Sequence, residues 1–190
     1  MNSKTNIMKA ILIIFSLFLF AFTTAWSQEN LVSFSGGYAF SHLEDVDQNL
    51  TGYRINGLYE YNPGGGMLAH GWSFGYIGTS GESSIGDGSE FKMNTWPLYY
   101  APKLMFGKNK LKLLVKGAMG LHFSNFKRTG ALLDLDTNDT GFYGGAGAGL
   151  MIYLKENIFL NAEYEWAFMS NIYYRNAFMN SANLSFGFRF

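Results

Sequence analysis

Side chains that alternate strictly between apolar and polar fit a β-strand and no helix, because successive strand residues point to opposite faces. This chain keeps that alternation through "NLSFGFRF" at 183–190, where Leu184, Phe186, Phe188 and Phe190 share one parity and Asn183, Ser185, Gly187 and Arg189 the other. Reading for period two between turn residues gives eight strands. "VSFSGGYAFS" from Val32 sets Val32, Phe34, Tyr38 and Phe40 against serines and Ala39. "GYRINGLYEY" sets Tyr53, Ile55, Tyr59 and Tyr61 against Arg54, Asn56 and Glu60. "GWSFGYIGT" places Trp72, Phe74 and Tyr76 on one face. A fourth segment, 95–106, keeps Trp96, Leu98, Tyr100, Leu104 and Phe106 in phase opposite Lys103, although Pro97 and Pro102 each remove a ladder donor. "LKLLVKGAMGLHFS" opposes Leu113, Val115, Met119, Leu121 and Phe123 to Lys112, Lys116, His122 and Ser124. "FYGGAGAGLMIYL" is a strand whose glycines leave its parity open. In the seventh, Ile158, Leu160, Ala162, Tyr164, Trp166 and Phe168 oppose Asn161, Glu163 and Glu165, and 183–190 is the eighth.

Before the first strand, Lys4 and Lys9 precede the uncharged run "AILIIFSLFLFAF" and then "TTAWSQ". A basic start, an apolar stretch shorter than a spanning helix and small residues at Ala25 and Ser27 predict a cleaved Sec-type signal peptide over 1–27, leaving 28–190 as one domain. Its removal leaves 12 basic residues against 14 acidic, so nothing in the balance recruits nucleic acid. With no cysteine, disulfides, a thioether-linked lipid anchor and thiolate metal sites are excluded. The 163 residues from 28 onward accommodate eight strands of about ten residues with their connections.

Alternation alone fits a soluble barrel, apolar inside, or a membrane barrel, apolar outside. The apolar parity carries Trp72, Trp96, Trp166 and many other rings, too much volume for an eight-stranded lumen, whereas the other parity is small or charged. A cation facing lipid at mid-bilayer costs about 2–4 kcal/mol, and Arg54, Lys103 and Lys116 all fall on the polar parity. The expectation is therefore an all-β, eight-stranded antiparallel transmembrane barrel. Its lumen would hold a polar network of Arg54, Glu60, Lys103, Lys116, Glu163, Glu165 and Arg189, with Glu163 or Glu165 as the partner of Arg189. Tyr59, Tyr61, Trp72, Trp96, Tyr164 and Trp166 would form the aromatic girdle. Connections after strands two, four and six are short, and those at about 43–50, 80–91, 125–140 and 170–177 are longer. Short periplasmic turns and longer extracellular loops are the outer-membrane arrangement.

The "WSQ" signal ending, "WPLYYAPKLMFG", "YGGAGAGLMIYL" and a final Phe resemble small OmpA/OmpX-type barrels, and in particular the outer membrane protein beta-barrel domain family of Bacteroidota. The resemblance implies the outer membrane of a Gram-negative bacterium. It also implies that Phe186, Phe188 and Phe190 resemble the signal read by the barrel-insertion machinery. Further expected partners are outer-membrane lipid, lipopolysaccharide and extracellular ligands met by the loops of a monomer. The leading role is structural or interactional, with a narrow porin-like channel as the alternative.

"LHFSN" at 121–125 resembles the His-x-Ser-Asn of lipid A deacylases, which makes His122 and Ser124 catalytic candidates, but their shared polar parity favours a lumen pair. "DLDTND" at 134–139 sets Asp134 and Asp136 at calcium-like spacing, without the glycine and glutamate of a complete loop. No cofactor is implied. Glu44, Asp45, Asp47, Glu82, Asp87 and Glu90 make the other long loops acidic, which suggests bridging to lipopolysaccharide through divalent ions.

Overall fold

The computed structural model describes residues 28–43, 48–63, 65–83, 88–107, 110–130, 134–170 and 176–190. The signal segment 1–27 and the loop acids Glu44, Asp45, Asp47 and Asp87 lie outside the described residues. The elements are β1 (Gln28–Leu43), β2 (Gln48–Pro63), β3 (Leu68–Glu82), β4 (Glu90–Tyr100), β5 (Lys103–Phe106), β6 (Leu111–Thr129), β7 (Leu135–Lys155), β8 (Ile158–Ser170) and β9 (Asn176–Arg189). All pairings are antiparallel, and β2 pairs with β3 while β9 pairs with β1, so the sheet closes on itself. Reciprocal backbone bonds between Asn30 and Phe190, at 3.0 and 2.9 Å, finish the seam.

Nine segments make eight walls, because β4 and β5 are one wall interrupted at Pro102. The ladder runs on through the gap: Ala101 and Gly71 exchange both backbone bonds, and Gly117 N–H donates to the Pro102 carbonyl at 2.9 Å. Pro97 is accommodated differently. It keeps its place opposite His122 of β6, while the β3–β4 register skips from Phe74↔Leu98 to Ile77↔Thr95. The missing N–H therefore falls on the β3 side, where two residues go unpaired.

Register fixes the bore. A path of direct partners from Val32 passes through Tyr59, Trp72, Tyr100, Met119, Gly144, Phe168 and Phe178 and returns to β1 at His42, ten residues above its start. Eight strands with a stagger of ten imply a tilt of roughly 40° and a backbone radius of about 8 Å. That leaves room for side chains and little else.

Outward and inward faces follow the alternation, and with inverted chemistry. Phe34, Ile55, Trp72, Phe74, Met119, Leu150 and Leu184 stand outward and uncovered, while Arg54, Glu60, Lys103, Lys116 and Glu165 are buried within. An apolar surface of this extent is stable only against an apolar solvent. The parity left open in β7 is settled by Tyr143, Met151 and Tyr153, which point inward, with Phe142, Leu150 and Ile152 outward.

One rim carries the start of β1, the end of β9 and the short turns after β2, β5 and β7. On the opposite rim, the loop expected over 125–140 is mostly strand. β6 and β7 run on together as far as Arg128↔Leu135, held by the Lys127–Asp136 pair at 2.7 Å and by Asn125 donating to Asp136 and Asn138. Cross-strand polar pairs support a ladder as well as apolar ones do, and alternation does not reveal this one because its outward face is polar, with the apolar Phe126 and Leu135 on the inward side.

Candidate functional site

The interior is layered. Toward the loop rim Leu43, Leu50, Ile77, Phe91, Met93, Phe126, Met169 and Met179 belong to one apolar cluster. Toward the turn rim Leu31, Ala69, Met105, Leu114, Met151, Tyr153 and Phe159 form another. Sequence reasoning missed both, because it weighed the inward parity by its charges and small residues. Phe91 and Met93, flanked by Glu90, Lys92 and Asn94 in β4, were the available signal.

Between the two clusters lies an ionic layer. Arg54 of β2 donates through Nη1 to Glu165 Oε1 at 2.7 Å and to Ser181 Oγ at 3.2 Å, and through Nη2 to Tyr99 Oη at 2.6 Å. Lys116 of β6 donates to Glu165 Oε2 at 2.5 Å and also to Glu163 Oε1. Tyr143 Oη donates to Glu165 Oε1 at 2.6 Å, and its ring stacks on Tyr99 with centroids 4.8 Å apart. Two cations face two anions, so the layer carries no net charge. Tyr99, Tyr143 and Ser181 were not anticipated; Tyr99 shares the parity of Lys103, and that phase alone would have placed it inward.

The glycines of β7 make room for this layer. Gly147 and Gly149 stand opposite Glu165 and Glu163, and a Cβ on Gly149 would lie 2.3 Å from the Ala162 carbonyl oxygen. Nearer the turn rim Lys103 Nζ lies 2.7 Å from Glu60 Oε1, both side chains fully enclosed. Arg189 departs from expectation. It lies at the mouth of the lumen and donates to Glu29 at 3.3 Å, not to Glu163 or Glu165, because β9 has already reached the turn rim at that point and the ionic layer sits several residues deeper.

His122 and Ser124 both point inward and are buried. His122 Nδ1 lies 2.8 Å from Ser124 Oγ, His122 Nε2 lies 2.9 Å from the Ser170 carbonyl oxygen, and Ser124 Oγ lies 2.9 Å from Thr95 Oγ1. With Nε2 protonated toward the carbonyl, Nδ1 accepts from the serine. A serine and a histidine thus meet, but a main-chain carbonyl occupies the place of an orienting carboxylate.

Asp136 Oδ2 pairs with Lys127, its Oδ1 accepts from Asn125 at 2.8 Å, and Asp134 Oδ1 accepts from Gly130 N–H at 3.2 Å. Hydrogen bonds from Lys127 first and Asn125 second hold the Asp136 carboxyl below its ordinary pKa. The ammonium of Lys127 supplies the positive charge beside this carboxylate.

Of the aromatic residues, Tyr59, Tyr61 and Trp72 lie near the turn rim, Trp96 in the loop-rim half of the β4–β5 wall and Trp166 in that of β8, all pointing outward. Trp72 leans on Tyr100 and Trp96 on Tyr76, at centroid separations of 5.5 and 5.6 Å. Tyr164 stands at the middle of β8, its hydroxyl donating to Asn180 at 2.8 Å. Phe186, Phe188 and Phe190 all face outward, the first two in edge-to-face contact at 4.9 Å.

Solved structures share this barrel. Neisserial surface protein A superposes with a TM-score of 0.68 at 13% identity, covering 85% of this chain and 97% of that one. Ail, the attachment invasion locus protein of Yersinia pestis, gives a TM-score of 0.53 at 21% identity over 85% of this chain and 99% of its own, and a further Ail structure, in complex with the heparin analogue sucrose octasulfate, gives 0.51 at 20% identity over the same shares of the two chains. No curated protein sequence matches the chain. A sequence profile described as outer membrane protein beta-barrel domain matches residues 13–190. Closed ring, outward apolar band, ionic lumen and this match converge: the chain belongs to the outer membrane protein beta-barrel domain family and is an OmpA/OmpX-type barrel of the Gram-negative outer membrane.

Proposed function

We propose that the barrel is a plugged anchor and that the protein acts through its extracellular rim, as a surface-interaction or structural protein. The observation that carries this reading is the layered lumen, in which a charge-neutral ionic layer is closed above and below by apolar side chains. A bore of about 8 Å backbone radius filled this way leaves no continuous aqueous path. The working surface is then the loop rim, where the β6–β7 hairpin projects farthest in register. Ail has been crystallised with a heparin analogue. The acidic loops of this chain favour instead basic ligands, or lipopolysaccharide bridged by divalent ions. Phe186, Phe188 and Phe190 serve the insertion machinery, the girdle aromatics anchor the barrel in lipid, and the folded unit is a monomer. No enzymatic role is proposed: His122 and Ser124 brace β6 against Thr95 and the Ser170 carbonyl from inside the wall. Planar-bilayer recording tests the reading; the expected trace is silent, and large steady openings would overturn it in favour of a narrow channel.

A further inference from the structure

The periplasmic mouth carries a feature that neither anchoring nor surface contact uses. A cavity of about 570 Å³ opens there, lined by Gly107, Lys110, Lys112, Tyr153, Leu154, Lys155, Glu156 and Arg189. Lys110 and Lys112 flank the first residue of β6, Lys155 ends β7, and Arg189 ends β9, so three separate segments bring their cations to one cup. Among the described residues Lys110, Lys112 and Lys155 have no carboxylate within ion-pair distance, whereas the neighbouring acids Glu29 and Glu60 are held by Arg189 and Lys103. Glu156 is the remaining acid of the lining. The cup is therefore electropositive.

Tyr153 floors the cup. It is 8% exposed, with Lys112 Nζ and Arg189 Cζ stationed 5.4 and 5.2 Å from its ring centroid. Its ring thus holds two cations at the cavity by cation–π contact, and the ammonium groups of Lys110, Lys112 and Lys155 around it are left for an anionic oxygen.

Leu154 fixes the kind of anion. It belongs to the same lining yet points outward, in line with Ile152 and next to Leu111 across the β6–β7 ladder, all three uncovered on the lipid-facing wall. The cup thus passes over the β7–β8 turn onto an apolar surface. We propose that it holds the phosphate of an anionic phospholipid of the periplasmic leaflet. Lys110, Lys112 and Lys155 face the phosphate oxygens above the Tyr153 ring, and the acyl chains lie along Leu111, Ile152 and Leu154. Lysine binds phosphate as a compact point charge, and each cation near a charged lipid surface contributes about fivefold in affinity.

The test is native mass spectrometry of the folded protein released from nanodiscs of equal phosphatidylglycerol and phosphatidylethanolamine. Electrophoretic mobility before and after boiling verifies that each variant is folded. Wild type should retain phosphatidylglycerol in at least fivefold excess. Combined Lys110→Gln, Lys112→Gln and Lys155→Gln should abolish that excess, and Lys92→Gln with Lys127→Gln at the opposite rim should leave it unchanged. Equal retention of the two lipids, or equal loss in the opposite-rim variant, overturns the site. Displacement of the lipid by millimolar inorganic phosphate would show that the cup takes a soluble phosphate and overturns the lipid assignment.

Discussion

Replacing Glu165 with Gln should cost far more than the same change at Glu163, two residues along one strand. Glu165 accepts from Arg54, Lys116 and Tyr143 at 2.5 to 2.7 Å with a side chain that is 1% exposed. Removing its charge leaves two enclosed cations facing the single carboxylate of Glu163. Breaking a buried pair by deleting one partner costs about 3–5 kcal/mol. The amide oxygen can still accept from Arg54 and Tyr143, so about 2–4 kcal/mol is expected for Glu165→Gln. Glu163 is bonded to Lys116 and, at 3.5 Å, to Asn161, and Lys116 keeps Glu165 when Glu163 is changed. Glu163→Gln should cost about 1–2 kcal/mol. Pairing Arg54→Met with Glu165→Leu should recover much of the single-mutant loss, because uncharged residues of similar volume remove the desolvation penalty together with the attraction. Urea titration in phosphocholine vesicles, followed by tryptophan fluorescence and heat-modifiable mobility, gives the three free energies. Equal costs below about 1 kcal/mol for Glu163→Gln and Glu165→Gln would mean that water screens the layer, and the closed-lumen reasoning would fail.

Gly187→Ala would set a Cβ 2.2 Å from the Phe159 ring and should destabilise the barrel by about 1–3 kcal/mol in the same titration. Ser124→Ala should leave lipid A unchanged by mass spectrometry, and loss of an acyl chain in wild type alone would restore the hydrolase reading. Because the folded-state pKa of Asp136 is depressed, its pair with Lys127 is fully present above the unfolded carboxylate value near 3.8 and is lost as pH falls through the lower folded value. The Asp136 carboxyl resonance should titrate below that of an unpaired aspartate, and Lys127→Gln should raise its midpoint. In lipopolysaccharide-containing bilayers a chelator should lower the thermal midpoint, and an unchanged midpoint would discard divalent bridging.

Parity made the walls legible from sequence, because one side of every strand meets lipid and a charge there is heavily penalised. The same rule put Arg54, Glu165 and Lys116 on the inward face without saying which touched which. Pairing depends on tilt and stagger: Arg54 reaches Glu165 and Ser181 across the bore, from elements more than a hundred residues apart in the chain. Arg189 was misassigned for that reason. Its face was evident, but its depth along the axis was not, and Glu29 stood at the same depth. The β6–β7 extension escaped notice because, beyond the membrane, the outward face meets water and Asn125, Lys127, Asp136 and Asn138 stand where lipid-facing apolar side chains would otherwise mark a strand. Pro97 was legible as a difficulty in a closed barrel. Only the register shows which neighbour forgoes the bond.

The ten-residue stagger has a consequence for how the interior can change. In a soluble core the surrounding elements move inward when a side chain is shortened, and the cost depends on how far they collapse. Here the circumference is set by strand number and register, so the wall cannot follow a shrinking side chain without slipping every ladder at once. Vacated space inside is filled by water where the neighbours are polar and stays empty where they are apolar. Shortening Glu163 or Asn161 should therefore hydrate the tube, whereas shortening Met93 or Leu114 should leave a dry void. The bore stays fixed while its contents vary.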